Sequence, residues 1–445
     1  MTEEHPNGER PADASGRDER TDGERPADAS GRDERTDGER SADVPERDER
    51  TDGERSADAP VRDELFLSTE SLAALVDGLL TAGTEVIAPV VVGACDSPAA
   101  MASAACLRPG VAAEQVDYAV LDGEHRLALG EAMPNLSLKS FFLPQNEALL
   151  CWRQRGGAID LQAAPTEHAP RLVLGAKPCD AAALEVVDKV MNWGCADELW
   201  NGRRDATTIF ALACPMEDDS CFCTAVGAAP DGTRGADALI TPVEGGYLVS
   251  VTTEKGRAFL DAHSDRFVAL EGLAGAEALR AQAEAFRAEA HARVAANLQI
   301  DAASVRQWIE THYDDPLLTA LGVRCNGCGA CSSVCPTCHC FDIVDEPDGV
   351  GSGTRRRCWD TCQTGKFTAH ASGHNPREDQ NVRFRQRINH KFAIYPLRFG
   401  EVLCTGCGRC TRVCHAGQDL VEILAAIDVD ARRGDLDAAA EGDAA

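Results

Sequence analysis

The sequence predicts an α/β (or α+β) domain followed by a helical, cysteine-rich domain, both behind a disordered acidic N-terminal tail. Three observations carry this reading. Residues 1–64 repeat a short polar unit, residues 65–300 alternate apolar runs with helical stretches, and residues 301–430 hold most of the cysteines. Residues 431–445 are small and polar and read as a frayed C-terminus.

In the tail, Gly8–Asp22 reads GERPADASGRDERTD, Gly23–Asp37 repeats it unchanged, and Gly38–Asp52 drifts to GERSADVPERDERTD. Residues 1–64 carry 22 acidic and 11 basic side chains and almost nothing apolar, so burial cannot offset the entropy of ordering them. The segment reads as a solubilising tail without chemistry or as an acidic interaction tail. Beyond it, candidate strands are Glu85–Val92, Arg171–Gly175, Thr207–Cys214 and Tyr247–Thr253, and candidate helices are Ala181–Met191, Glu277–Ala296 and Ala303–His312. No G-x-G-x-x-G follows a strand and no G-x-x-x-x-G-K occurs, so there is neither a dinucleotide fingerprint nor a P-loop. Gly349, Gly351 and Gly353 read as a loop, and Lys366–Ser372 and Asp419–Ile427 as helical segments.

The 445 residues include 73 acidic side chains against 44 basic ones, a formal net charge of −29, and 20 cysteines. That charge repels phosphate backbones and argues against nucleic-acid binding. The opening MTEEHPNGER has no signal-peptide character, and no apolar run approaches the roughly 18 residues of a membrane span. The expectation is a cytoplasmic protein without membrane insertion, in which thiols serve as metal ligands more readily than as disulfides.

Cys325, Cys328, Cys331 and Cys335, followed by Pro336, spell C-x2-C-x2-C-x3-C-P, and Cys404, Cys407, Cys410 and Cys414 repeat the spacing. Three thiolates on a tight loop can wrap one iron–sulfur cubane, with Gly327, Gly329, Gly406 and Gly408 letting backbone approach the sulfides. In two-cluster ferredoxins the fourth cysteine ligates the other cluster. One [4Fe-4S] is therefore expected on Cys325, Cys328, Cys331 and Cys414, and a second on Cys404, Cys407, Cys410 and Cys335. Zinc favours two C-x2-C pairs over two such quartets. The 68 residues between Cys335 and Cys404 leave room for helices, as in an α-helical ferredoxin-like dicluster domain. His415 stands where a proline usually follows the second quartet, which alters the turn and leaves the ligand set intact.

The flanking residues resemble one family. They are Cys335-Pro-Thr-Cys338-His-Cys340-Phe-Asp342, Trp359-Asp-Thr-Cys362, Ala369-His370 through His374-Asn-Pro-Arg377, the arginine-rich Arg383–Lys391, Lys177-Pro-Cys179-Asp180, and Cys214 through Cys221-Phe-Cys223. Over residues 65–430 the chain is similar to 4Fe-4S dicluster subunits typified by the beta subunit of hydrogenase/sulfur reductase and by the iron–sulfur subunit of anaerobic sulfite reductase. The resemblance implies a non-catalytic electron-transfer subunit that works with a flavoprotein oxidising NAD(P)H and with a hydrogenase, sulfur-reducing or sulfite-reducing catalytic subunit. No nucleophile or metallohydrolase motif contradicts it. A cluster-stabilised scaffold and a thiol-redox enzyme are the other readings.

Two further cysteine groups stay open. Cys179, Cys214, Cys221 and Cys223 could hold a third [4Fe-4S] cluster or pack as small apolar residues, and Cys338, Cys340, Cys358 and Cys362 could supply a metal site, a redox dithiol or packing. Cys95, Cys106, Cys151 and Cys195 read as core. His339, His370, His374 and His390 read as backbone-bonded histidines, and Arg383, Arg385, Arg387 and Lys391 as cluster-neutralising, partner-docking or solvated. Deleting residues 1–60 is expected to leave iron content and melting temperature unchanged; a loss of soluble protein would show that the tail contributes to folding.

Overall fold

The structure, a computed structural model, describes residues 64–93, 114–122, 124–215 and 218–442. The repeat tail and the positions of Cys95 and Cys106 lie outside them.

Twelve strands are described: β1 (Glu64–Ser68), β2 (Glu85–Gly93), β3 (Glu114–Val120), β4 (Asn146–Arg155), β5 (Ala158–Ala163), β6 (Arg171–Ala176), β7 (Thr207–Leu212), β8 (Ala238–Val243), β9 (Gly246–Val251), β10 (Val268–Ala269), β11 (Phe341–Gly349) and β12 (Ser352–Trp359). Eight of them form one sheet in the order β10-β1-β9-β8-β7-β6-β2-β3. Its centre, β2-β6-β7-β8, is parallel, and its flanks are antiparallel. Side-chain alternation explains why both faces are covered. Leu172, Leu174, Phe210 and Leu212 enter the core on one face with the helix Thr69–Thr81, and Val173, Ile209 and Ala211 enter the core on the other with the helix Pro178–Met191. The helix Ala276–Asn297 follows, close to its expected span.

Between the two cysteine quartets the expected all-helical filling does not hold. β11 and β12 form a hairpin that joins β4 and β5 in a second, four-stranded antiparallel sheet. The alternation that builds it is hidden in the sequence because β5 and β11 are exposed along their whole length. One buried knot fixes the junction: Arg357 of β12 pairs with Glu147 of β4 and with Asp197, which also caps the helix Glu198–Ala206. A boundary at residue 300 is therefore crossed by strand pairing, and the described residues belong to one compact unit.

Lys366–Ser372 forms turns, and the helix arrives later, at Gln380–Asn389, running through a π-helical turn at His390–Ile394. The final helix is Leu420–Gly442, and within it Asp428 and Arg432 pair one turn apart (2.6 Å). Its buried side, Leu420, Ile423, Leu424 and Ile427, packs with Trp308, Ile309, Phe384 and Ile388 into a separate core. Cys151 and Cys195 are exposed, against expectation: Cys151 lies on the outward-facing β4, and Cys195 in the turn after the helix Pro178–Met191.

Trp200 is fully buried, packs against Phe142 and donates from Nε1 to Asp188 Oδ1 at 2.6 Å. Trp200→Ala is expected to cost about 3–5 kcal/mol in denaturant unfolding; a loss well under 1 kcal/mol would show that this core does not hold the sheet.

Candidate iron-sulfur centre

The two cysteine loops are built alike. Each reads Cys-x-Gly-Cys-Gly-x-Cys, and Gly327, Gly329, Gly406 and Gly408 all have positive φ, between +65° and +78°. A Cβ on Gly329 would stand 2.6 Å from Thr361 Cγ2, and one on Gly408 would stand 2.5 Å from the Ser220 carbonyl oxygen. These glycines serve conformation and close approach at once. A single helical turn carries each third cysteine, Ala330–Ser333 in the first quartet and Arg409–Arg412 in the second, and the two turns pack together. Val334 and Val413, each just before its quartet's fourth cysteine, form a small core of their own.

That packing carries Cys335, the fourth cysteine of the first quartet, toward the second loop. Cys335 lines one cavity with Cys404, Cys407 and Cys410, walled by Arg387 and Lys391. On the other side Cys331 lies beside Cys325. Cys325 Sγ accepts from Gln380 Nε2 (3.2 Å), Cys414 Sγ accepts from the backbone N–H of Gln418 (3.2 Å), and Gln418 Nε2 reaches Leu321 O (2.8 Å), next to the first loop. Among the described residues, no three Cys, His, Asp or Glu side chains are placed to hold a single metal ion.

The electrostatics of the centre suit a negatively charged occupant. Burial pushes the thiols of Cys404 and Cys331 up, to about 12 and about 11, and that of Cys407 up as well, so these sulfurs ionise only when positive charge such as iron reaches them. Cys335 behaves oppositely: a hydrogen bond from Cys338, with Lys391 and Thr337 beside it, holds it well below the ordinary thiol range. Three buried cations surround the sulfurs. Lys391 Nζ donates to Cys335 Sγ (3.3 Å), Thr337 Oγ1 (3.2 Å) and Leu403 O (3.0 Å). Lys139 Nζ donates to Ser332 O and Cys338 O (both 3.1 Å) over the Trp359 ring. Arg387 faces Cys331, Cys410, Cys338 and Cys335, and its Nε and Nη2 have no partner among the described residues. The basic stretch thus divides: Arg387 and Lys391 face the cysteines, Arg385 pairs with Asp314 (2.8 Å), and Arg383 ties down the 363–380 turn through Gln363 O and Arg377 O.

A second set of contacts seats the centre on the α/β sheet. Cys179 opens the helix after β6 and Cys214 follows β7, so both stand at the carboxyl edge of neighbouring parallel strands, where α/β sheets place their sites. Cys214 has Cys179, Cys221 and Cys223 as neighbours, all four buried, and Cys179 also neighbours Cys407. The Phe222 N–H donates to Gly406 O (2.8 Å), laying the 220–223 loop on the second cysteine loop. Beside it Arg409 forms a buried two-pronged pair with Asp180 (2.8 and 2.7 Å) and donates to Pro134 O, while Tyr118 OH bonds Asp180 (2.9 Å). Sequence reasoning missed Tyr118, Lys139, Gln380 and Arg409; only Arg409, a charge inside a cysteine loop, carried any signal.

Cys338, Cys340 and Cys362 line another cavity with Arg387, Lys391, His339 and His390, whereas Cys358 sits within β12 and does not. His339 Nδ1 bonds Thr337 O (3.0 Å), and burial pushes both His339 and His390 down to about 4, so they are neutral at pH 7. His370 and His374 stack edge-on in an exposed turn.

A family model for the 4Fe-4S dicluster domain matches residues 324–418, which contain both quartets. The chain is 30% identical to sulfhydrogenase 2 subunit beta of Pyrococcus furiosus over 256 residues, 57% of this chain and 72% of the relative. The chain belongs to the hydrogenase/sulfur reductase beta-type iron–sulfur subunit family. No solved structure matches it. Family membership makes it an iron–sulfur electron-transfer subunit, and no described helix is long and apolar enough to cross a membrane.

Because removing one partner strands a buried charge, Asp180→Asn is expected to lower unfolding stability by about 3–5 kcal/mol, and Tyr118→Phe by about 1 kcal/mol. Equal small losses in both variants would show that the Arg409 pair does not anchor the second loop.

Proposed function

We propose that this protein relays single electrons between a flavin-bearing NAD(P)H-oxidising subunit and a hydrogenase, sulfur-reducing or sulfite-reducing catalytic subunit in the cytoplasm. Two [4Fe-4S] clusters would supply the one-electron carriers, the first on Cys325, Cys328, Cys331 and Cys414 and the second on Cys335, Cys404, Cys407 and Cys410. The observation that carries the reading is the cavity in which Cys335 of the first quartet meets Cys404, Cys407 and Cys410 of the second. The name of the relative, one chain of a sulfhydrogenase, favours a hydrogenase partner over a sulfite-reducing one.

The protein's part is to hold charge and exclude water. Lys391, Arg387 and Lys139 offset negative charge at the sulfurs, and hydrogen bonds from the Gly406 N–H to Cys404 Sγ (3.4 Å) and from Gln380 to Cys325 Sγ would raise the potential of the sulfur each reaches. The α/β region of residues 65–300 would then act as platform for the dicluster region of residues 301–430, behind a tail of residues 1–64. Within that platform we assign a third [4Fe-4S] to Cys179, Cys214, Cys221 and Cys223, because the four are buried and neighbour one another, with Cys179 also beside Cys407.

Anaerobic iron and sulfide quantification with electron paramagnetic resonance of the reduced protein tests this. Roughly twelve irons and twelve sulfides per chain, four per cubane, with interacting signals, are expected. About eight of each would remove the third cluster and leave the relay; zinc in place of iron would overturn both. Cys325→Ala and Cys407→Ala should each lose or convert one cluster and slow electron transfer in the assembled complex, and unchanged turnover would contradict the relay.

A further inference from the structure

The cavity beside the second quartet holds three cysteines that the relay does not use, Cys338, Cys340 and Cys362; Cys338 neighbours Cys335, which leaves Cys340 and Cys362 as a pair. Cys340 is the last residue before β11 and Cys362 lies three residues beyond β12, so the hairpin brings them together, and the Asp360 N–H bond to Cys340 O (3.0 Å) closes its end. Their side chains neighbour one another in that cavity. The cavity wall also carries Lys391 and Arg387; Arg387 is more than nine-tenths buried, and its Nε and Nη2 lack partners among the described residues. Gln363 Nε2 donates to Cys362 Sγ (3.4 Å) and Gln380 links Gln363 to Cys325, so Cys362 is connected through two glutamines to a cysteine of the first quartet. Arg387 and Lys391 line the cavity of the second quartet as well.

We propose that Cys340 and Cys362 form a reversible dithiol–disulfide couple, a two-electron store set beside the two one-electron clusters. On oxidation the two thiols form one Sγ–Sγ bond: both S–H bonds break, two protons go to solvent, and two electrons leave, which the two oxidised clusters would take up one each. Reduction reverses this: one electron from each reduced cluster would break the S–S bond, and two protons return to the sulfurs. Gln363 Nε2 on Cys362 Sγ (3.4 Å) and the cationic wall of Arg387 and Lys391 favour the thiolate through which such exchange runs. The couple rests on the two-cluster reading for its electron partners, but not for the bond itself.

The test is thiol trapping on the full-length, anaerobically prepared protein. Samples poised across a range of potentials are quenched, alkylated with iodoacetamide and mapped by mass spectrometry, with iron counted in parallel. A peptide linked through Cys340 and Cys362 should appear and vanish reversibly with two-electron behaviour, and Cys340→Ser and Cys362→Ser should keep wild-type iron and cluster signals while losing the link. Absence of the linked peptide wherever the clusters remain intact would overturn the couple, as would loss of roughly four irons in either serine variant, which would make that residue a cluster ligand. A reversible link in a protein without cubane signals would support the couple and sink the relay instead.

Discussion

Buried sulfur needs positive charge, and the rest of this structure is arranged around supplying it. Lys139, Arg387, Lys391 and Arg409 are buried at or beside the cysteine loops, where an unpaired cation would be costly. Of these four, Arg409 alone meets a carboxylate among the described residues, Asp180, in a close pair. The other three are directed at thiols, at carbonyls or at cavity space. A chain carrying 29 excess negative charges thus gathers these interior cations in one place. In the proposed relay, cations there would stabilise thiolate ligands before any electron arrives, and the extra negative charge when one does.

This constraint also ties residues before 300 to residues after it. Lys139 comes from the segment before β4, Asp180 from the helix after β6, and the 220–223 loop from beyond β7, yet all three meet the C-terminal cysteine loops. The carboxyl edge of a parallel sheet ordinarily receives a ligand. Here it receives a second part of the same chain, and the cysteines at that edge, Cys179 and Cys214, stand next to Cys407. The hairpin β11–β12 completes the embrace by pairing with β4, fixed through Arg357, Glu147 and Asp197.

What is legible in the sequence follows from what is local. The quartets, their glycines and the parallel strands β2, β6 and β7 can be read because spacing and unbroken apolar runs survive translation into one dimension. The second sheet cannot, since β5 and β11 bury neither face and so leave no alternation to read. Likewise, Arg387 and Lys391 stand out only as members of a basic run; which of its residues turn inward depends on the helix Gln380–Asn389 and the π-helical turn after it, a matter of packing. Tyr118 and Lys139 act across more than sixty residues of chain and have no local signature at all.

Each cluster is proposed to draw its fourth ligand from the other loop, inside a shell of buried cations. Diffraction from anaerobic crystals at the iron edge tests this most directly. The predicted result is anomalous density bounded by Cys335, Cys404, Cys407 and Cys410, and separate density bounded by Cys325, Cys328, Cys331 and Cys414, with Arg387 between them. Density bounded by each unbroken quartet, with Cys335 on the first site and Cys414 on the second, would contradict it.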